Sequence, residues 1–185
     1  RMSFAEPDFA PPQGGLNIRL ADTPVAQEAR MIDFKRFAAE AFARANRIDK
    51  RVHGKPGAKV GFVAAGKNWL DLVHAFALLG IDAAECERLG ITTWKVAQTF
   101  PMDVKSFTEW AEGLDLIVVV EEKRKLIEVQ VKEAIFDNRR GRRVYGWKHA
   151  LTGQELFPTR YALDPVMIAE KIGQVLIEEG RATED

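Results

Sequence analysis

The chain has 185 residues, 46% of them apolar and 29% charged, which suits one soluble globular domain with an arm attached. Lys+Arg and Asp+Glu balance at 27 each, so no global basic field draws the chain to nucleic acid. No apolar stretch has membrane-spanning length, and Arg1 to Asp8 lacks an apolar signal core, so no membrane partner and a cytoplasmic setting are expected. The single cysteine, Cys86, excludes an intrachain disulfide, and it excludes an iron–sulfur cluster ligated by cysteines of this chain.

In chain order, Pro7, Pro11, Pro12, Gly14, Gly15 and Pro24 mark an extended arm or interdomain linker over 1–23, with one strand-like run at Leu16 to Leu20. Thr23-Pro24 supplies an N-cap and a proline at the first helical position. Phe34, Phe37, Ala38, Ala41, Phe42, Ala45 and Ile48 then follow the three-and-four spacing of one face, predicting a long amphipathic helix over 25–49 within a segment of 24–52. Its cationic side reads as a solvated face. Gly54-Lys55-Pro56-Gly57 breaks the chain, and an α/β domain is expected over 53–180, with a polar linker at 181–185.

Strands are expected at Lys59 to Ala65, Ile91 to Ala97 and Leu116 to Val120, with a final strand or hairpin from Arg143 to Phe157. Helices are expected from a cap at Asn68 to Gly80, at Ala83 to Leu89, Val104 to Ala111 and Lys125 to Phe136, and from Asp164-Pro165 onward. The run Leu116-Ile117-Val118-Val119-Val120 is apolar on both faces, the mark of an inner strand covered on both sides. Alternating strands and helices predict an α/β fold, a three-layer α/β/α sandwich with a mostly parallel sheet, preceded by the arm and the long helix.

Polar groups at the carboxyl ends of such strands lie where open α/β sheets bind ligands or partners. The candidates are Gly66, Lys67, Asn68, Phe100, Glu121, Glu122, Lys123 and Arg124, as ligand or domain contacts; none is assigned a catalytic role. Gly61 to Asn68 nearly spells a phosphate-binding loop, but its four intervening residues are the strand itself and Asn68 stands where magnesium needs a hydroxyl. What remains is a helix start able to attract an anion, or simply a helix start. Glu121 and Glu122 could form an acid/base pair, yet adjacent strand residues point apart, which favours ion pairing or interface contact. Arg139-Arg140-Gly141-Arg142-Arg143 could hold an anion, although a solvated turn is preferred. His53, His74 and His149 share no metal-ligand spacing with one another or with Cys86, and His74 reads as a hydrogen-bonded packing residue.

Several segments together resemble a known family. Pro12 to Arg19, Gly66-Lys67-Asn68-Trp69-Leu70-Asp71, Leu79-Gly80-Ile81-Asp82, Lys95-Val96, Phe100-Pro101 and Val119 to Arg124 look like indolepyruvate ferredoxin oxidoreductase, over about residues 10–180. Their order also looks like the transketolase carboxy-terminal domain that 2-oxoacid oxidoreductases contain. The resemblance implies a parent enzyme that decarboxylates an aryl 2-oxoacid oxidatively with thiamine diphosphate, magnesium and coenzyme A, passing electrons through iron–sulfur clusters to ferredoxin. It implies that those cofactors sit outside this chain, which lacks the Gly-Asp-Gly thiamine signature. The chain is then expected to be an internal structural and docking domain of a longer, homo-oligomeric polypeptide, binding no cofactor itself. An alternative is an anion-binding module, in which the helix start near Asn68 and the arginine turn hold a coenzyme A or nucleotide phosphate.

Overall fold

A computed structural model of the chain describes residues 3–183. Helix α1 (Pro24–Arg30) runs through a five-residue π turn, Met31–Lys35, into α2 (Arg36–Ala45). The expected helix therefore forms, but it stops at Ala45, where Asn46 leaves helical geometry and its amide turns back to the Phe42 carbonyl (3.0 Å). The rest of the expected helical segment behaves differently. Lys50–Arg51 form β1, the antiparallel edge strand of the sheet, so the sheet begins inside the segment assigned to the helix. No strand forms at Leu16 to Leu20. The arm instead folds onto its own helix: Asn46 exchanges two hydrogen bonds with the backbone of Ala5, and Phe4 packs 5.5 Å from Phe42, centroid to centroid.

The parallel strands are β2 (Val60–Ala65), β3 (Ile91–Val96), β4 (Leu116–Val120) and β5 (Arg143–Tyr145), in the sheet order β1-β3-β2-β4-β5. Val63 faces Trp94 on one side and Val119 on the other, so the three inner strands share one row. All five residues of β4 are buried, as a continuous apolar run requires. Removing such side chains from water contributes roughly 1.5–3 kcal/mol each. Gly61 has a packing reason: a Cβ there would lie 2.6 Å from both Leu114 Cδ1 and Trp110 Cη2.

Helices cover both faces. Phe62, Ala64 and Val118 pack with α3 (Gly66–Leu78), α4 (Ala83–Leu89) and α7 (Pro165–Glu178) in one core. Val63, Trp94, Ile117 and Val119 pack with α5 (Val104–Trp110) and α6 (Leu126–Ile135) in the other. This is the expected three-layer α/β/α arrangement with a mostly parallel sheet. The chain after β5 forms a short hairpin closed by the bridge Lys148–Glu155, so the final strand and the hairpin are separate features. The long helix docks on the second face: Arg44 donates to buried Asp103 at 2.9 Å, and Phe37 and Glu40 border a groove with Phe100 and Met102. Arg181 and Ala182, expected in a linker, stay on the domain; the Arg181 N–H reaches the Leu176 carbonyl (2.8 Å) and Ala182 packs against the core. Glu184 and Asp185, like Arg1 and Met2, lie outside the described residues.

Candidate functional site

In the parallel part of the sheet β2 sits between β3 and β4, so the chain leaves β2 toward one side and β4 toward the other. Connections that diverge this way open a crevice beyond the strand ends, the place where such sheets hold ligands. Here that crevice lies between Gly66–Asn68 after β2 and Glu121–Arg124 after β4. The chain fills it with its own groups.

Glu122 is the centre of the filling. Its Oε2 accepts the Leu163 N–H at 2.8 Å and the Asn68 amide at 3.3 Å, with Lys67 Nζ 3.6 Å away. The Glu122 N–H returns to Asn68 Oδ1 at 3.4 Å. Lys67 Nζ also donates to Asp71 at 2.5 Å and to the Leu163 carbonyl at 2.8 Å. Leu163 is thus held through both its N–H and its carbonyl, and the loop before α7 is laid across the crevice. Burial alone pushes the Glu122 carboxyl up; the Leu163 N–H, the Asn68 amide and the Lys67 and Lys123 ammonium groups outweigh it and hold the carboxyl below its ordinary range. The hydrogen bond to Asp71, with the Asp71 and Glu122 charges, raises the Lys67 ammonium against slight desolvation.

Asn68 does not cap its helix. Helix α3 starts at Gly66, whose φ of 53° is easy for glycine, and Asn68 lies inside the first turn with its side chain on Glu122. Glu121 turns the other way, as strand alternation anticipates. Its carboxylate accepts the Ile127 N–H at 2.8 Å and the Glu128 N–H at 3.1 Å, closing the amino end of α6. Burial pushes its carboxyl up, although three backbone N–H groups pull against that. The two glutamates therefore serve two separate places and make no acid/base pair. Lys123, at φ 67°, and Arg124 remain exposed.

Phe100 stands apart from this cluster. It is 68% exposed on the loop after β3, in the groove beside Phe37 and Met102. Two residues without an earlier role hold that loop: Asp49 accepts the Ala97 and Gln98 N–H groups, and Gln130 bonds the Thr99 carbonyl and the Met102 N–H. Asp49 could have been found only as an acid within an apolar-periodic run.

The arginine turn is not uniformly solvated. Arg142 is buried on the Leu114 carbonyl (3.1 Å), and Arg143 forms a two-pronged pair with Glu179 at 2.6 and 2.7 Å. His74 is exposed, contrary to its packing assignment, while His149 is the buried imidazole, bonded to Glu178 at 2.9 Å.

A thiamine diphosphate–magnesium pair does not fit this rim. Its carboxylate is already engaged by two internal donors and the Lys67 ammonium, and no group of three or more His, Cys, Asp or Glu among the described residues could hold a metal ion. Cys86 is buried in the first core, its thiol pushed up to about 11 by desolvation and then by Asp82 and Glu85, so it offers neither thiolate nor access. Among the described residues no helix is long and apolar enough to cross a membrane.

Sheet order and closed rim together define an α/β domain whose strand ends hold its own loops. The family model for the indolepyruvate oxidoreductase domain matches residues 50–185, and the chain belongs to that family. The match begins at β1, the strand missed in the sequence. The indolepyruvate oxidoreductase subunits IorA of Thermococcus kodakarensis and Pyrococcus horikoshii are each 28% identical over 125 residues, which is 68% of this chain. The chain spans only 17% of the length of these curated relatives. Among solved structures, a split-gene transketolase described as an inactive beta4 tetramer overlays with a TM-score of 0.47 at 18% identity, covering 69% of this chain and 41% of that one. A 2-oxoglutarate:ferredoxin oxidoreductase from Magnetococcus marinus overlays with a TM-score of 0.47 at 16% identity, covering 83% of this chain and 24% of that one. Overlays this loose leave the strand order itself as the basis for the fold class.

Proposed function

We propose that the chain is a structural and docking domain of a thiamine-diphosphate-dependent indolepyruvate, or aryl 2-oxoacid, ferredoxin oxidoreductase, and that it performs no chemistry alone. The observation that carries this reading is the Glu122 carboxylate, committed to Leu163 and Asn68 at the point of the sheet where a ligand would enter. A domain that spends its crevice on its own loop contributes rigid surface, and the exposed Lys123, Arg124 and Phe100 are the side chains it offers to neighbouring domains. Thiamine diphosphate, magnesium, coenzyme A and the iron–sulfur clusters then belong to other parts of a cytoplasmic, homo-oligomeric parent. The reacting 2-oxoacid and the ferredoxin are handled there too.

The test is complementation. A parent enzyme lacking this segment should neither assemble nor oxidise indolepyruvate until the purified chain is added back, while the chain alone shows no turnover and no iron–sulfur absorbance. A deleted parent that assembles and turns over normally would remove the docking role. The alternative anion-binding module gains nothing from the helix start at Gly66, because Asn68 is turned to Glu122 and Lys67 to Asp71 and Leu163.

A further inference from the structure

A cavity of about 400 Å³ lies beside the free edge of the sheet, between the carboxyl end of α6, strand β5 and the hairpin that follows. That is within the range of small-molecule sites, roughly 300–1,000 Å³. Its apolar side is made by buried Ile135 and Val144, with Phe136 at the mouth, 76% exposed and so free to lie against a flat ligand. Among the described residues every ionisable side chain lining it is basic: Lys132, Arg139, Lys148 and His149. In a chain with zero formal net charge, a concave surface whose ionisable groups among the described residues are all bases is a local imbalance.

The bases differ in availability. His149 accepts the Leu151 and Thr152 N–H groups at Nδ1 (3.3 Å each) and meets Glu178 through Nε2, so both ring nitrogens are engaged. Lys132 is paired with Glu128, whose other oxygen takes the Trp147 N–H at 2.8 Å. Arg139 is anchored through Nε alone, donating to the Arg142 carbonyl at 2.8 Å, which leaves its fork of terminal nitrogens for a ligand. Lys148 has no carboxylate partner among the described residues; its ammonium lies 4.6 Å from the centre of the Trp147 ring. A guanidinium fork and an ammonium at the border of an apolar pocket recognise an oxyanion attached to a flat apolar body.

We propose that this cavity binds a small aromatic anion, a carboxylate or a phosphate ester, with Arg139 and Lys148 on the charged end and Phe136, Ile135 and Val144 on the ring. The site is independent of the docking role above. It lies away from the closed rim, and of the arginine turn it uses only Arg139.

The test follows the backbone amide signals of the full chain by NMR during titration with benzoate, phenyl phosphate and inorganic phosphate. Benzoate or phenyl phosphate should shift the amides of His149 and Gly153 saturably, and whichever binds more tightly identifies the anion. Inorganic phosphate, lacking a ring, should bind about tenfold more weakly than the better of the two. The combined Arg139→Gln and Lys148→Gln variant should lose about tenfold or more in affinity, and Phe136→Ala should weaken the aromatic ligands while leaving inorganic phosphate unchanged. The same spectra show that the variants are folded. The proposal is overturned by an absence of shifts up to about 10 mM ligand, by equal binding of inorganic phosphate, or by unchanged affinity in the double variant.

Discussion

The crevice between β2 and β4 lies beyond the carboxyl ends of parallel strands and the cavity beside β5 lies along the free edge of the sheet, and the two treat charge in opposite ways. In the crevice the charges that point inward are matched: Glu122 with the Leu163 N–H, Asn68 and Lys67, and Lys67 in turn with Asp71. Beside β5, Arg139 and Lys148 line a concave, partly apolar surface with no acid among its described lining residues. A polar cluster at a topological switch point is thus insufficient to mark a ligand site. What matters is whether the cluster is already satisfied from within.

The largest expected effect lies in β2, the strand that leads to the crevice. Gly61→Ala would force a Cβ against Trp110 and Leu114 and should cost about 3 kcal/mol in denaturant unfolding. A cost near zero would mean that this glycine has another purpose. Next, Glu122→Ala leaves the Leu163 N–H and Asn68 without their acceptor, in a partly exposed site, and should cost about 2 kcal/mol. Loss of less than about 0.5 kcal/mol would show that the crevice is not held shut by this carboxylate.

The same carboxylate gives a pH dependence. Its pKa is held below the ordinary 4.5 in the folded chain, so its contribution is complete above that value and drains away as pH falls through the lower folded pKa. Urea unfolding of wild type and Glu122→Gln should therefore show a constant difference near neutrality that closes below about pH 4. A difference that widens in acid would reverse the assignment. Smaller again, Lys67→Ala should cost under about 1 kcal/mol, because its ammonium is largely exposed in both ion pairs.

The comparison also explains what could be read without coordinates. Leu116 to Val120 is unmistakable because five successive apolar residues fit only a strand covered on both faces. Strand β1 is invisible for the complementary reason: Lys50 and Arg51 pair with Lys95 and Trp94 through the backbone, leaving no side-chain pattern. At the crevice, Gly66, Lys67, Asn68 and Glu122 are legible as a cluster of strand-end polar groups. Their meaning is not, since the deciding partner is the main chain of Leu163, an apolar residue 41 positions from Glu122. The arginine turn misleads similarly: Arg142 and Arg143 are drawn inward by the Leu114 carbonyl and Glu179, which sequence spacing does not bring near.

Whether the crevice is closed can be asked directly by titrating the chain with thiamine diphosphate and magnesium while following the amides of Gly66, Lys67 and Leu163 by NMR. A crevice occupied by its own carboxylate predicts that these signals stay in place at millimolar cofactor. Saturable shifts confined to those three amides would contradict it, and would make this domain a part of the cofactor site.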